Sequence, residues 1–544
     1  MTSGLFGFYT AQRSLMLNQA AINVINTNVS NINTEGYSRQ RLEISQESVV
    51  ATSASNPLIA AQSGLGAVID SISRNRDAYI DNSYRTAYSN YSYSNELADN
   101  VGLIEDITNG LSNSGLGVAL DEFYTAAQQL SQNPTDTVTR TNFVQRTINV
   151  ATEFNYISNQ LTDLKTNLVG DISDTNTLDV SKISLGCDDL NNKLAVIAEL
   201  NSTISFSTTQ GSTPNSLLDN RDKLLDQISE YIPVTVSAGP NNTVNISLGG
   251  TDLVTGSTQV GSFKYELKDT SLAGNWTTNP PVVKIQDPNG RDVLNDVSSK
   301  ITSGKLGAIL DVTGSDINKP SINNMFDSLN LLANEFATQI NSIQMYNEPD
   351  MEDDGITPTG TTTQAMCINK TATTPTLKEA THKIFLNQDT EATSDDTKIT
   401  AANIRVNNAI ISDPTEVAAA RINYTTATGA TAANIQGTGD GSNALLIAQF
   451  ENKALSNLNN TTTEKYLNSV TSNFGVQVRD VQDKLDSNDT ILQQISLKRE
   501  SASGVNLDEE YTDLIKFQRS YEASARIFNV VNEIMQKIVT LGNS

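Results

Sequence analysis

The chain has one histidine, His382, and two cysteines, Cys187 and Cys367, in 544 residues. One histidine cannot build a histidine-clustered metal site and leaves none to spare for a catalytic triad, so a solvent-facing side chain is expected there. Two cysteines cannot supply a disulfide framework for a chain this long. Whether they meet stays open, and two free buried thiols are the simpler expectation. Basic residues are scarce, with 36 Lys and Arg against 61 Asp and Glu and a net charge of −25. That shortage argues against nucleic acid and against anionic membrane surfaces, which require clustered cations. No run reaches the ~18–20 apolar residues that a membrane span needs. The N-terminus lacks the basic start, apolar stretch and small-residue cleavage site of a secretory signal peptide, so any export is expected to leave the chain uncleaved. Aromatics make up 6% of the residues. Asn, Ser and Thr are plentiful instead, as in long solvated strands and loops.

Motifs with chemistry are also missing. Glu352-Asp353-Asp354-Gly355 lacks the alternating ligands of a calcium loop and reads as a solvated acidic turn. The glycines of Gly437–Gly441 come without the Lys or the strand context of a phosphate cradle. The remaining carboxylates are scattered, and no catalytic pair stands out. An enzyme is not expected, nor a cofactor or metal.

What is present lies at the two ends. From Leu507 to Leu541 there is neither Gly nor Pro, enough for a helix of roughly 50 Å. Leu507, Tyr511, Leu514, Gln518, Tyr521, Ala525 and Phe528 alternate in steps of four and three, and Val531, Met535 and Ile538 continue after one slipped step. Asp508, Glu509 and Glu510 suit the positive end of that helix, and Asn506 can cap it. At the other end, Arg13 is the only charged residue in Met1–Thr34. Phe8, Ala11, Leu15, Asn18, Ile22, Ile25, Val29 and Ile32 form one stripe there, and Leu17, Ala21 and Val24 begin a second beside it. A helix apolar on two faces requires cover on more than one side. Either end alone would fit a long buried helix of a globular domain; together they predict a coiled pair with one face left for other molecules.

Between them the texture changes several times. A left-handed turn is expected at Gly36, then a strand over 41–45 and turns at Asn56-Pro57 and Gly64–Gly66. Helix is expected over 68–107, 116–132, 137–169, 177–206 and 215–231. Period-two alternation after Pro233 predicts a small antiparallel β domain. Helix returns over 321–346, 442–460 and 463–500, and 347–441 reads as an irregular insertion with short strands near 383–386 and 403–406. Length alone suggests three or four domains. The expected class is α+β multidomain, with outer β-rich domains inserted mid-chain. Its parts are a terminal coiled-coil assembly domain (1–60 and 501–544), a helical rod domain (61–231, 313–346 and 442–500), a β domain (232–312) and the insertion (347–441).

The run Ile25-Asn26-Thr27-Asn28-Val29-Ser30-Asn31-Ile32-Asn33-Thr34-Glu35-Gly36-Tyr37-Ser38-Arg39-Gln40 resembles the rod/hook/hook-associated family of bacterial flagellar axial proteins. Its Gly-Tyr-Ser-Arg-Gln ending is similar to the hook-associated members, since hook and rod proteins usually lack Ser-Arg-Gln. Ser503–Glu510, followed by Leu514, Gln518, Tyr521, Ala523 and Ala525, is similar to the tail of the same members, and Gly304–Leu310 also matches. The resemblance covers about 1–345 and 400–544, leaving 347–399 without a counterpart. It implies a structural subunit at the hook–filament junction, outside the cell, exported unfolded through the flagellar type III apparatus. The implied partners are the hook protein below, a second junction protein above, further copies of the chain, and a cytoplasmic chaperone on the C-terminal helix. The assembly seam would set Leu15, Ile22, Ile25, Val29 and Ile32 against Leu507, Leu514, Tyr521, Phe528 and Met535, with the loop Gly36, Tyr37, Ser38, Arg39 and Gln40 fixing the exit angle. Another axial protein, such as a hook subunit or flagellin, and a secreted enzyme or adhesin on such a scaffold are the alternatives. If the ends fold only on assembly, backbone amides of 1–50 and 505–544 should exchange fast in dilute monomer, measured by hydrogen exchange; strong protection there would count against it.

Overall fold

The structure, a computed structural model, describes residues 2–46, 67–113, 115–171, 178–267, 281–351, 358–369, 376–388, 398–425 and 437–542. The chain opens with α1 (Thr2–Ser30), the hairpin β1 (Gln40–Gln46) and β2 (Ala67–Arg74), and the helices α2 (Ala78–Asn113), α3 (Leu116–Gln132), α4 (Thr137–Val169), α5 (Lys182–Thr209) and α6 (Asn215–Tyr231). Next come β3 (Thr235–Ala238), β4 (Val244–Leu248), β5 (Thr251–Thr255), β6 (Thr258–Gln259), β7 (Ser262–Leu267), β8 (Pro281–Gln286) and β9 (Asp292–Leu294). They are followed by α7 (Gly304–Val312) and α8 (Ile322–Gln344). The strands β10 (Asn347–Met351), β11 (Pro358–Asn369), β12 (Thr376–Glu379), β13 (Phe385–Asn387) and β14 (Ile404–Val406) precede α9 (Asn408–Ser412) and β15 (Ala420–Thr425). The chain closes with α10 (Ser442–Gln449), α11 (Thr463–Ser503) and α12 (Leu507–Gly542). This is an α+β multidomain fold, with long helices at both ends and small sheets in the middle.

Two compact units form. One comprises Met1–Ser94, Ser184–Gly307 and Leu485–Ser544; the other comprises Asn95–Ile183 and Ala308–Lys484. In the first, β3–β6 make a meander and β7–β9 a three-stranded sheet. Two carboxamides hold these strands to α5. Asn191 donates to the Phe263 carbonyl at 2.7 Å and accepts from its N–H at 2.7 Å. Asn201 treats Val244 the same way at 2.8 and 3.3 Å. Each side chain behaves as one residue of an added strand, satisfying backbone groups that burial would otherwise leave unpaired.

The second unit is centred on aromatic rings. Phe123 lies 5.2 Å from Phe143 and 5.3 Å from Phe336, which is 5.3 Å from Phe385. Beside them the buried Arg140 donates to the carbonyls of Pro134, Pro414 and Val417. Asn341 clamps Phe385 through its N–H at 2.9 Å and its carbonyl at 2.8 Å.

Three segments differ from the sequence reading. Helix expected from residue 68 begins at Ala78, because Ala67–Arg74 pairs antiparallel with β1. The Asp77 carboxylate then caps α2, accepting from the N–H groups of Tyr79 and Ile80 at 2.8 and 3.3 Å. Thr-rich polarity made 347–380 read as irregular, yet β10–β11–β12 with β15 form a four-stranded sheet there. Thr is a β-former whatever its polarity. The helix expected over 442–460 is α10 followed by 3₁₀ turns at Phe450–Asn452 and Ser456–Leu458. The acidic turn at 352–355 and the turns at 56–57 and 64–66 lie outside the described residues.

Asn341→Leu leaves two buried backbone groups of Phe385 unpaired and should cost about 2–4 kcal/mol, read as a lower denaturant midpoint; an unchanged midpoint would contradict the clamp.

Candidate assembly site at the paired chain ends

The helices α1 and α12 pack antiparallel. Phe8 meets Phe528 with ring centroids 4.7 Å apart. The Ser14 and Ser524 hydroxyls are 2.8 Å apart, with Asn18 Nδ2 3.5 Å from Ser524 Oγ. Asn28 Nδ2 donates to Glu510 Oε2 at 3.0 Å. The helix start is capped as expected, by Asn506 Oδ1 accepting from the Asp508 N–H at 3.0 Å.

The residues expected to form the seam are placed unevenly. Ile25 is buried; Leu15, Ile22, Val29 and Ile32 are half-buried. Leu514, Phe528 and Met535 are also half-buried, while Leu507 and Tyr521 are each 39% exposed. The positions facing the partner on α1 are Ala11, Ser14, Asn18, Ala21, Ile25 and Asn28, a heptad row in which Ile25 is the one large apolar side chain, with Leu17 and Val24 buried beside it. Ala11, Asn18 and Ile25 belong to the stripe read from the sequence and Ala21 to the second, whereas a search for apolar side chains passes over Ser14 and Asn28. The signal was the placing of Ser14, Asn18 and Asn28 in steps of 3.5 within a nearly chargeless helix. On α12, Tyr511, Ile515, Ile527, Val530 and Ile534 remain exposed.

The loop Gly36–Gln40 joins this pair to the rest of the first unit. Gly36 turns with φ of +82°, where a side chain is strained. The Tyr37 hydroxyl donates to Asn28 Oδ1 at 2.8 Å, and burial, then Asp219 and Glu510, pushes its pKa up to about 12. Asn28 Oδ1 also accepts from the Gln40 N–H, and its Nδ2 donates to the Gln40 carbonyl, both at 2.9 Å. Arg39 reaches Glu510 at 2.7 Å and Glu509 at 2.6 Å. Burial opposes its charge, but these carboxylates outweigh that and raise its pKa. The Arg39 N–H donates to the Ser503 carbonyl at 2.9 Å, which ties the loop to the end of α11. Ser38 Oγ donates to Asp219 Oδ1 at 2.6 Å.

Asp219 opens a buried ionic lattice that sequence reading missed. Asp219, Asp222 and Asp226 share one face of α6. Arg74 bonds Asp219 and Asp222, each at 2.8 Å; Arg76 bonds Asp81 at 2.8 Å; and Arg85 bonds Asp226 at 3.0 Å. Arg499 of α11 reaches Asp81 at 2.9 Å and Asp226 at 2.6 Å, and lies over the Tyr84 ring. Acidic residues at i, i+3 and i+7, each next to or near the apolar positions Leu218 and Leu225, were the available clue. For Asp222 burial is the largest effect and raises the pKa, but Arg74, Arg76 and Arg85 outweigh it and lower the value overall. For Asp226 burial wins and the pKa rises.

Elsewhere the thiols of Cys187 and Cys367 are free and buried. Burial pushes each up to about 12, which keeps it protonated and unreactive. His382 is 36% exposed, with Nδ1 3.3 Å from Glu416. Among the described residues no group of three or more His, Cys, Asp or Glu could hold a metal ion, and no helix is long and apolar enough to cross a membrane.

Residues 101–348 match the model of the flagellar hook-associated protein FlgK helical domain. Flagellar hook-associated protein 1 of Bacillus subtilis (strain 168) is 27% identical over 554 residues, covering 99% of this chain and 98% of that protein. The chain is thus similar over its whole length to flagellar hook-associated protein 1 (FlgK). Members from Escherichia coli (strain K12) and Salmonella typhimurium are 24% and 23% identical, each aligned over 98% of this chain and over 98% and 99% of their own lengths. The fold of the flagellar hook junction protein FlgK from Burkholderia pseudomallei is similar, with a TM-score of 0.54 at 14% identity over 77% of this chain and all of that one. Residues 498–541, which include all of α12 but its last residue, match the flagellar basal body rod FlgEFG protein C-terminal model. The C-terminal helix is therefore similar to one found in rod proteins.

Asp222→Asn strips three arginines of a shared carboxylate and should lower stability by about 3 kcal/mol at neutral pH. Because the folded pKa of Asp222 is depressed, its contribution is present above the usual value near 4 and is lost as pH falls through the lower folded value. Denaturant midpoints measured from pH 7 to 2 should fall less steeply for Asp222→Asn than for the parent below about pH 4; parallel profiles would contradict this.

Proposed function

We propose that this chain is a structural subunit of the bacterial flagellum at the hook–filament junction and that it assembles through its terminal helices. One observation carries the reading: in a chain similar to FlgK over its whole length, both ends converge on one antiparallel pair whose outer face keeps Ile515, Ile527, Val530 and Ile534 exposed. Such a stripe on a long helix is an unfinished surface, and covering what remains exposed of each side chain contributes about 1 kcal/mol. Neighbouring copies, the hook protein on one side and a second junction protein on the other would supply the cover. Leu15, Ile22, Val29, Ile32, Leu514, Phe528 and Met535 would contribute the half-buried flanks of that contact, Leu507 and Tyr521 exposed ones, and Ile25 its buried middle.

The four-part division follows the same logic. The terminal assembly domain (1–60 and 501–544) builds the axial wall, and the rod domain supports it. The β domain (232–312) and the insertion (347–441) face outward. A cytoplasmic chaperone would cover the C-terminal helix before export through the flagellar type III apparatus, which leaves the subunit uncleaved and outside the cell. No catalysis is part of this role.

Deleting Leu507–Ser544 should abolish swimming and leave hooks without attached filaments, counted by electron microscopy. Normal swimming with firmly held filaments would overturn the proposal.

A further inference from the structure

Three of the six α1 positions that face α12 are polar, an unusual composition for a seam. They are not scattered. Ser14 and Asn18 meet Ser524, Asn28 meets Glu510, and every other facing residue on α12 from Leu514 to Met535 is apolar or aromatic. Fourteen residues, two heptads, separate Ser14 from Asn28, and fourteen separate Glu510 from Ser524. Only one antiparallel register brings both polar layers together.

We infer that these two polar layers set the register of the terminal helix pair and make α12 selective for its own α1. The inference rests on the assembly role proposed above and specifies how the pair recognises its correct partner. A slip of one heptad in one direction would set Asn28 against Phe517 and Ser524 against Ala21. A slip the other way would set Glu510 against Ala21 and Ser14 against Phe517. Each leaves buried polar groups facing apolar ones, which is costly. A purely apolar seam would discriminate far less, because any heptad step restores its packing.

The Asn28–Glu510 layer is the more constrained. Asn28 is 1% exposed and Glu510 2% exposed. All four hydrogen-bonding sites of the Asn28 carboxamide are used, by Tyr37, by both backbone groups of Gln40 and by Glu510. Its Nδ2 is therefore aimed at one place, and Glu510 must come to it. Selectivity has a purpose, because α12 is similar to a C-terminal helix found in rod proteins. Helices of that type carrying apolar residues in place of Glu510 and Ser524 would be disfavoured at this α1.

The test uses disulfide reporters in the full-length chain that leave both polar layers intact. Ala11→Cys with Phe528→Cys reports the observed register, and Ala11→Cys with Met535→Cys reports a one-heptad slip. Under slow oxidation the first pair should cross-link at least tenfold more than the second. With Glu510→Leu and Ser524→Ala added, the residues of α1 are unchanged and Arg39 keeps Glu509, and the two pairs should cross-link within about twofold of each other. With Glu510→Gln and Ser524→Thr added instead, which keep hydrogen-bonding atoms, the tenfold preference should return. A preference that persists in the apolar variant would overturn the inference. So would loss of both cross-links together with helicity by circular dichroism, since the layers would then hold the pair together without choosing its register. Motility plays no part in this readout, so it can fail while the junction role stands, and the reverse.

Discussion

The carboxamide of Asn28 is the contact on which the arrangement of the chain ends depends. It is buried in the seam between α1 and α12, where an unpaired amide would be costly. Its partners come from three places: the helix pair through Glu510, the loop through Tyr37, and the start of β1 through Gln40. Arg39 then ties Glu510 to the loop, and Ser38 passes the connection to Asp219. From there the arginines of β2, α2 and α11 carry it through the first unit. Gly-Tyr-Ser-Arg-Gln thus reads as one turn followed by four anchors. Gly36 makes the turn, Tyr37 and Gln40 hold Asn28, Ser38 holds Asp219, and Arg39 holds the α12 start.

The same chemistry recurs away from the ends. Asn191, Asn201 and Asn341 each pair with both backbone groups of one residue, as Asn28 does with Gln40. A short carboxamide matches the spacing of a peptide unit and fixes a passing segment without needing a full strand. A chain poor in aromatics and in cysteine has few bulky anchors and no cross-links. Asparagine clamps serve instead, and they explain part of the composition.

Much of the outline was legible from residue order. The long Gly- and Pro-free ends, the period-two alternation after Pro233 and the cap at Asn506 all correspond to observed elements. What stayed hidden had physical causes. Val68, Ile69 and Ile72 fit a helix face locally, and only pairing with β1 turns them into a strand. Thr-rich segments around β11 look like loop by polarity. Large apolar side chains draw attention to Leu15, Ile22 and Val29, whereas close helix packing favours Ala11, Ala21 and the polar layers between them. The Asp–Arg lattice requires knowing that α6 is packed against β2, which no local pattern states.

The exposed face of α12 gives the structure its direction. Helix length, the half-covered flanks and the apolar stripe belong together if other subunits complete the surface. The most direct test is an electron cryomicroscopy reconstruction of the assembled hook–filament junction at side-chain resolution. Ile515, Ile527, Val530 and Ile534 should be covered by neighbouring axial subunits, with α1 and α12 still joined through Asn28 and Glu510. Finding those side chains facing solvent or the lumen, with the helix pair making no contact with other subunits, would contradict an assembly role for the chain ends.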